Sequence, residues 1–270
     1  MKNKEHLFLQ IERYKVAATI FFRSIELKLL NEKVGRFFES QKSILDLGCG
    51  DGIADSVIFD KPISYGLDNN FLAVKQAEKS GIYKKVFLAD AGNIPLPDNC
   101  LDLVFSNCSL EHMKDLDSVL KEVSRILVKD GFFIFTTPSD NFKNYSFLGL
   151  LGLKTLARSY GILRDKRQHH YHSHSLEDWS SILAKFNLKK SDGYYYIGKK
   201  NLEFWDFLLI LYLPFSLLTR LGPKVETLVN KIHYFFVYRI FFRKIIYRKF
   251  LASEITGSDG AVVCVIAKKE

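Results

Sequence analysis

Ile44-Leu45-Asp46-Leu47-Gly48-Cys49-Gly50-Asp51-Gly52 is the stretch on which the reading of this 270-residue chain turns. Ile44, Leu45 and Leu47 form a short apolar run suited to a buried strand, and glycines then fall at every second position. A strand that runs into such a turn belongs to an α/β sheet. Gly48 and Gly50 let the backbone take positive φ and let a ligand approach where a Cβ would block it. Two ligand classes suit a glycine turn after a first strand. A dinucleotide site wants G-x-G-x-x-G, and Ile53 stands where its third glycine would be. The glycines here fall as G-x-G-x-G.

Outward from the turn, a helix is expected from near Ile53, and Ile63 to Leu67 reads as a second strand ending at Asp68. An acidic residue at that strand end is placed to accept both ribose hydroxyls of an adenosine. A helix from about Phe71 to Ser80 leads to a third strand, Val86 to Ala89, closed by Asp90-Ala91 and followed by Ile94-Pro95-Leu96-Pro97-Asp98. Leu101 to Asp115 reads as a fourth strand and loop, with Ser106 and Asn107 at the strand's carboxyl end and Glu111-His112 just beyond. A helix from Leu116 to Leu127, a Lys129-Asp130-Gly131 stop and a fifth strand from Phe132 to Thr137, ending at Pro138, complete this part.

Asp46 with its G-x-G-x-G, the acids at 68 and 90, the P-x-P-D-like turn and the Glu-His pair after strand four resemble, in order, the motifs of class I S-adenosylmethionine-dependent methyltransferases, in their small-molecule branch. The resemblance implies S-adenosyl-L-methionine as cofactor. It also implies a Rossmann-like α/β sheet of seven strands, the last antiparallel, with helical insertions. On that resemblance Asp46, Gly48 and Gly50 hold the methionine part, Asp68 the ribose, and Asp90 with Ala91 the adenine. Asn69 flanks the adenine, and Asn107 lies beside the methyl group.

The resemblance is good over 44–138 and loose over 175–197 and 260–267. One domain fills 1–270, with an N-terminal helical cap at 1–40, a cofactor-binding core at 41–138, a substrate lid at 139–174 and a helical apolar and basic insertion at 199–258. The cap is read from Leu7, Ile11, Val16, Ile20, Phe21, Ile25, Leu29 and Phe37 at helical spacing; packing on the sheet alone is an equal alternative for it. Ser175 with Glu177 and Asp178 opens a helix to about Phe186, and a sixth strand is expected from Leu188 to Ile197.

The four cysteines, Cys49, Cys100, Cys108 and Cys264, have neither disulfide-framework nor metal-ligand spacing, and no export signal is visible, which suits the cytoplasm. The net charge of +9 is uneven: residues 1–150 carry −1 and residues 151–270 carry +10. Nucleic acid is not expected as a partner, because no RNA-binding signature accompanies the basic half. Phe207 to Thr219 are thirteen uncharged, mostly apolar residues, too few to cross a bilayer and expected to kink at Pro214. Residues 232–250 interleave aromatics with Arg239, Arg243, Lys244, Arg248 and Lys249, a composition suited to peripheral membrane contact through 204–250 at the inner face. A dimer interface or a cover for the active site explains the same apolar content.

For chemistry, His112 is the first candidate base, since imidazole titrates near neutrality. His170, His172 and His174 alternate and would share one side of an extended segment, so His172 is a second candidate. With Asp165 or Glu177 they could hold a divalent metal, but the spacing fits no standard site and no metal is expected. The expected reaction moves a methyl group to oxygen or carbon of a small-molecule or lipid-linked acceptor. The alternative is a catalytically silent, membrane-associated binding or assembly module of the same fold.

Overall fold

The computed structural model describes residues 4–253 and 259–270. Residues 1–3 of the expected cap and 254–258 of the expected insertion lie outside the described residues. Seven strands, β1 (Ile44–Leu47), β2 (Ile63–Asp68), β3 (Tyr83–Leu88), β4 (Leu101–Asn107), β5 (Leu127–Pro138), β6 (Leu188–Ile197) and β7 (Val262–Lys269), form one sheet in the order β3-β2-β1-β4-β5-β7-β6. The first five are parallel, while β7 runs antiparallel to both β5 and β6. The connections reverse direction between β1 and β4. Open α/β sheets bind ligands at the carboxyl ends of strands beside such a reversal.

Side-chain alternation along the strands divides the core into two layers. On β7, Val262, Cys264 and Ile266 enter one layer and Val263, Val265 and Ala267 the other; on β1, Ile44 and Leu45 divide likewise. Helices α1 (Lys4–Ile11), α2 (Ala17–Leu29), α3 (Gly35–Ser40), α4 (Ile53–Ile58) and α5 (Phe71–Ser80) put Phe8, Phe21, Phe38, Val57 and Ala77 into the first layer. Helix α6 (Leu116–Ile126) packs on the opposite face through Leu120 and Val123.

The strand ends differ in two places from the sequence expectation. β3 begins at Tyr83, which pairs with Ile63, and its exposed Lys84 and Lys85 are tolerated because it is an edge strand. β5 begins at Leu127, so the Lys129-Asp130-Gly131 stop lies inside it as an irregularity of register against Leu101 and Leu103.

The first insertion contains α7 (Phe147–Leu150) and α8 (Lys154–Arg167). Helix α9 (Leu176–Ala184) follows, opened by a capping box in which Ser175 and Asp178 bond each other's backbone N–H. The second insertion is α10 (Lys199–Thr219), α11 (Pro223–Ile232), a π-helical stretch (His233–Phe242) and α12 (Arg243–Ala252). The thirteen-residue estimate is corrected here: α10 continues through Pro214 for 21 residues, and is long and apolar enough to cross a membrane by length and composition. Yet its first half is seated on protein. Asp206 is fully buried and pairs with Arg164 of α8 at 2.8 Å, and Trp205 and Leu208 enter the first core layer. Beyond Leu208 the helix is partly or fully exposed, as at Leu213, Leu217 and Leu218.

Candidate functional site

The glycine turn is held at the carboxyl end of β1 by two backbone bonds, from Gly48 N and Cys49 N to Leu67 O at 2.8 and 3.0 Å. Gly48 has φ +82°, and a Cβ built on it would lie 1.8 Å from Ser109 Oγ, so only glycine fits. Gly50 has φ +54° with open space where a Cβ would be. Its N–H donates to Asp68 Oδ2 at 2.9 Å, and Asn70 N–H donates to Asp68 Oδ1 at 2.8 Å. Each Asp68 oxygen thus accepts one of these bonds and keeps capacity for another donor. Asn70 in turn caps α5, accepting from Leu72 and Ala73 N–H.

Two cavities meet at Gly48. One of about 500 Å³ is lined by Gly50, Asp46, Asp55, Tyr14, Arg23 and Asn107 among others; the second, about 650 Å³, is lined by Asp68, Asn69, Asp90, Ala91, Ser109 and His112 among others. All eight residues expected to touch cofactor therefore line one of these two spaces. Asp90 Oδ1 accepts from Gly92 N–H at 2.7 Å, which closes the turn after β3. The following Pro-x-Pro-Asp stretch is clamped by Arg125, which donates to Ile94 O, Leu96 O and Asp98, while Glu122 accepts from Ile94 N–H. A separate cavity of about 440 Å³ opens among Leu30, Phe38, Ile44 and Ile63, at the amino ends of β1 and β2, away from the glycine turn.

The electrostatics beneath the turn are unusual. Asp46 is 1% exposed, accepts the Tyr83 hydroxyl at 2.6 Å and lies beside buried Asp55. Burial and the neighbouring carboxylate raise Asp46 well above the usual carboxylate range, and burial pushes Asp55 up to about 6. Asn107 is committed on both sides, donating to Glu26 at 3.2 Å and accepting from Thr136 Oγ1 at 2.6 Å. Glu26, fully buried on α2, also accepts from Arg23, Cys108 Sγ and the Tyr196 hydroxyl.

Arg23, Glu26 and Tyr14 were not singled out from the sequence. The available signal was a charged Arg23/Glu26 pair three residues apart in an otherwise apolar helix, which on a core-facing stripe must find partners. Arg164 and Asp206 were also missed as partners. Their bond crosses 42 residues of sequence, with Arg164 further donating to Phe142 O and Tyr145 O.

A third cavity, about 220 Å³, lies between α2, the end of β4 and the two insertions; it is lined by Phe22, Arg23, Cys108, Glu111, His112 and His170 among others. It shares Arg23 and Cys108 with the first cavity and His112 with the second. Glu111 is 2% exposed, and burial pushes its carboxyl up to about 8. Burial lowers the His112 pKa below its ordinary value, and its Nδ1 lies 3.3 Å from His169 O. The alternating histidines divide. His170 Nδ1 meets Asp165 at 2.8 Å, whereas His172, its Nε2 2.9 Å from Met113 O, stacks on His174, which packs edge-on against Trp179.

The sheet order with its antiparallel last strand defines a class I methyltransferase fold, and the glycine turn with acids at the ends of β2 and β3 lies at the carboxyl edge where open α/β sheets bind ligands. Residues 45–135 match the family model described as a methyltransferase domain. Residues 45–135 thus carry a methyltransferase domain, within a sheet of the class I S-adenosylmethionine-dependent methyltransferase fold. It is 29% identical over 145 residues to the malonyl-[acyl-carrier protein] O-methyltransferase of Hamiltonella defensa, covering 53% of this chain and 52% of that one. It is 34% identical over 98 residues to the sterol 24-C-methyltransferase of Aspergillus fumigatus, covering 33% and 26%. The chain spans about half the length, or less, of the curated relatives it matches. Among solved structures, a SAM-dependent methyltransferase from Thermotoga maritima superposes with a TM-score of 0.57 at 18% identity, over 98% of this chain and 100% of that one, a likeness of fold.

Proposed function

We propose that this protein transfers the methyl group of S-adenosylmethionine to a lipid-like or lipid-linked acceptor presented at the cytoplasmic surface of a membrane. The observation that carries the reading is the meeting of three cavities around Gly48, Arg23, Cys108 and His112, two suited to cofactor and one to acceptor. Asp68 would accept the ribose hydroxyls, Asp90 and the Ala91 N–H would meet the adenine edge with Asn69 beside it, and Gly48 and Gly50 would admit the methionine part above Asp46. Arg23 is the cation in the same cavity that can face the methionine carboxylate.

The sulfonium carbon needs no activation, so the protein supplies proximity, alignment and removal of the acceptor proton. His112, kept neutral by burial, is the base that borders both the cofactor and acceptor cavities. Asn107 and His172 would act by holding the walls, since both polar atoms of Asn107 are committed to Glu26 and Thr136, and His172 Nε2 to Met113 O.

The membrane part rests on the second insertion. Leu217, Leu221, Phe235, Phe236, Ile240 and Phe241 are 50–73% exposed, and Arg220, Lys224, Lys231, Arg239, Lys244 and Arg248 are exposed among them. Apolar side chains that reach the acyl boundary, with cations at headgroup level, fit an anionic bilayer. Arg243 is turned inward to Glu12 at 2.7 Å and is not part of this surface. Calorimetric titration with S-adenosylmethionine is the first test: micromolar binding that Asp68→Ala abolishes supports the reading. Absence of binding would replace it with the non-catalytic module. Deleting residues 199–258 would remove Trp205, Tyr238 and Phe250 from the core, so vesicle flotation is better tested with Phe236→Ser/Phe241→Ser.

A further inference from the structure

The third cavity carries a ligand set that the chain's spacing conceals. Glu111 and His112 sit on a 3₁₀ turn, Leu110–His112, directly after β4, and His170 arrives 58 residues later from the end of the first insertion. The two segments are fastened by Tyr171 N–H to Glu111 O at 2.7 Å and by the His112 Nδ1 contact with His169 O at 3.3 Å. One ligand atom from each of Glu111, His112 and His170 then lies within 4.8 Å of the others.

The hydrogen bonds choose the free atoms. His112 Nδ1 faces a backbone carbonyl and His170 Nδ1 faces the Asp165 carboxylate, and both partners can only accept. Each Nδ1 in the neutral ring must then carry the proton, which leaves the Nε2 lone pairs available. The Asp165–His170 pair is the arrangement in which a carboxylate orients a metal-binding imidazole from behind. Glu111 supplies the independent mark: its Oε2 is buried without a hydrogen-bond partner, in a residue 2% exposed. A buried carboxyl oxygen is rarely left without a partner, and a cation at this position would meet it.

We propose that Glu111, His112 and His170 bind one divalent transition-metal ion, with Asp165 positioning His170, and that the ion holds the acceptor's oxygen for methyl transfer. Two imidazoles and a carboxylate suit zinc, iron or manganese rather than calcium or magnesium, and three protein ligands leave a position open to the cavity. Ligand bonds of about 2.1 Å place ligand atoms about 3.4 Å apart, so the three atoms, now within 4.8 Å, must draw together by up to about 1.4 Å. The inference rests on the methyltransferase reading for its second half only. There, His112 is a ligand in place of the base it would be without the ion, and an acceptor hydroxyl bound to the ion loses its proton to solvent. Its oxygen forms the new bond to the methyl carbon as the carbon–sulfur bond breaks, and the electron pair stays on sulfur as S-adenosylhomocysteine leaves.

The test is titration of the chelator-stripped full chain with Zn²⁺, and with Co²⁺ followed by its visible absorption, alongside S-adenosylmethionine in the same preparation. One zinc per chain is expected, with a tetrahedral or five-coordinate cobalt spectrum. Affinity should fall at least 100-fold in His170→Ala and Glu111→Gln, about 10-fold in Asp165→Asn, and not at all in His174→Ala. No stoichiometric zinc binding, or binding equal in wild type and His170→Ala, overturns the site even where the cofactor binds. Zinc binding in a chain that ignores S-adenosylmethionine upholds the site and removes its catalytic half. Far-ultraviolet circular dichroism of each variant separates lost ligation from lost folding.

Discussion

The two ends of this molecule use their polar residues in opposite ways. Around the glycine turn, polar groups such as Asp68 and Asp90 are each satisfied by a nearby backbone N–H and keep capacity for a ligand. In the insertions, Arg164 donates to Asp206 and to the carbonyls of Phe142 and Tyr145, Asp206 also accepts from Phe147 N–H, and the surface beyond them is left apolar. The first region is built from local bonds and prepared for a small ligand; the second is built from one long-range pin and prepared for a surface. Substitutions should therefore separate binding from stability.

The largest effect is expected at the turn. Gly48→Ala places a methyl against Ser109 Oγ in a conformation alanine avoids, and calorimetry should show cofactor affinity falling more than 100-fold. Retained affinity would mean that the cofactor does not approach this turn.

At the other end, Arg164→Ala should cost about 3–5 kcal/mol in urea denaturation, because it leaves Asp206 charged and buried without its partner. The double exchange Arg164→Met/Asp206→Leu should recover most of that loss. Cofactor affinity should change less than twofold in both, and a larger change would join the two regions into one cooperative unit.

Third comes pH. Asp55 is raised in the folded chain to about 6 from an ordinary value near 4, so the folded state holds this proton when the unfolded state has released it. Its contribution is present below about pH 4, declines as pH rises through about 6 and is then flat; Asp46, raised beside it, extends the decline upward. Over that range the ligand-free protein should lose about 3 kcal/mol through Asp55, a two-unit shift, and Asp55→Asn should flatten the slope. A rising stability in the same window would show that the two carboxyls are not in contact.

The smallest effect on folding, and a decisive one for function, belongs to the outer surface. Phe236→Ser/Phe241→Ser should shift stability by no more than about 0.5 kcal/mol per site, since both side chains are more than half exposed, while flotation with anionic vesicles is lost. Unchanged flotation would end the membrane proposal.

Much of the first region could be read without coordinates. Strand β2 and helix α5 occupy the expected positions, as does the Asp68 end, because a strand, a glycine turn and a cap are each encoded within a few neighbouring residues. The insertions resisted that reading for three reasons. Pro214 predicts a kink in a helix that continues through it; the basic–aromatic stretch holds a π-helical segment, His233–Phe242, that no residue pattern announces; and of the three alternating histidines His170 leaves the other two for Asp165. Arg23 and Glu26 were legible only as an anomaly in an apolar helix, because their partners Asn107, Cys108 and Tyr196 lie 81 to 170 residues away.

What the amino-acid order determined by itself was the sheet, its glycine turn and the acids at its strand ends, since short-range backbone preference and two-residue alternation suffice to specify them. Tertiary structure alone decided which charges pair and which stay open. The Arg164–Asp206 pin, the nearness of buried Asp46 to Asp55 and the convergence of Glu111 with His170 depend on distance through space, and the energy of a buried charge is set by whatever the fold places beside it.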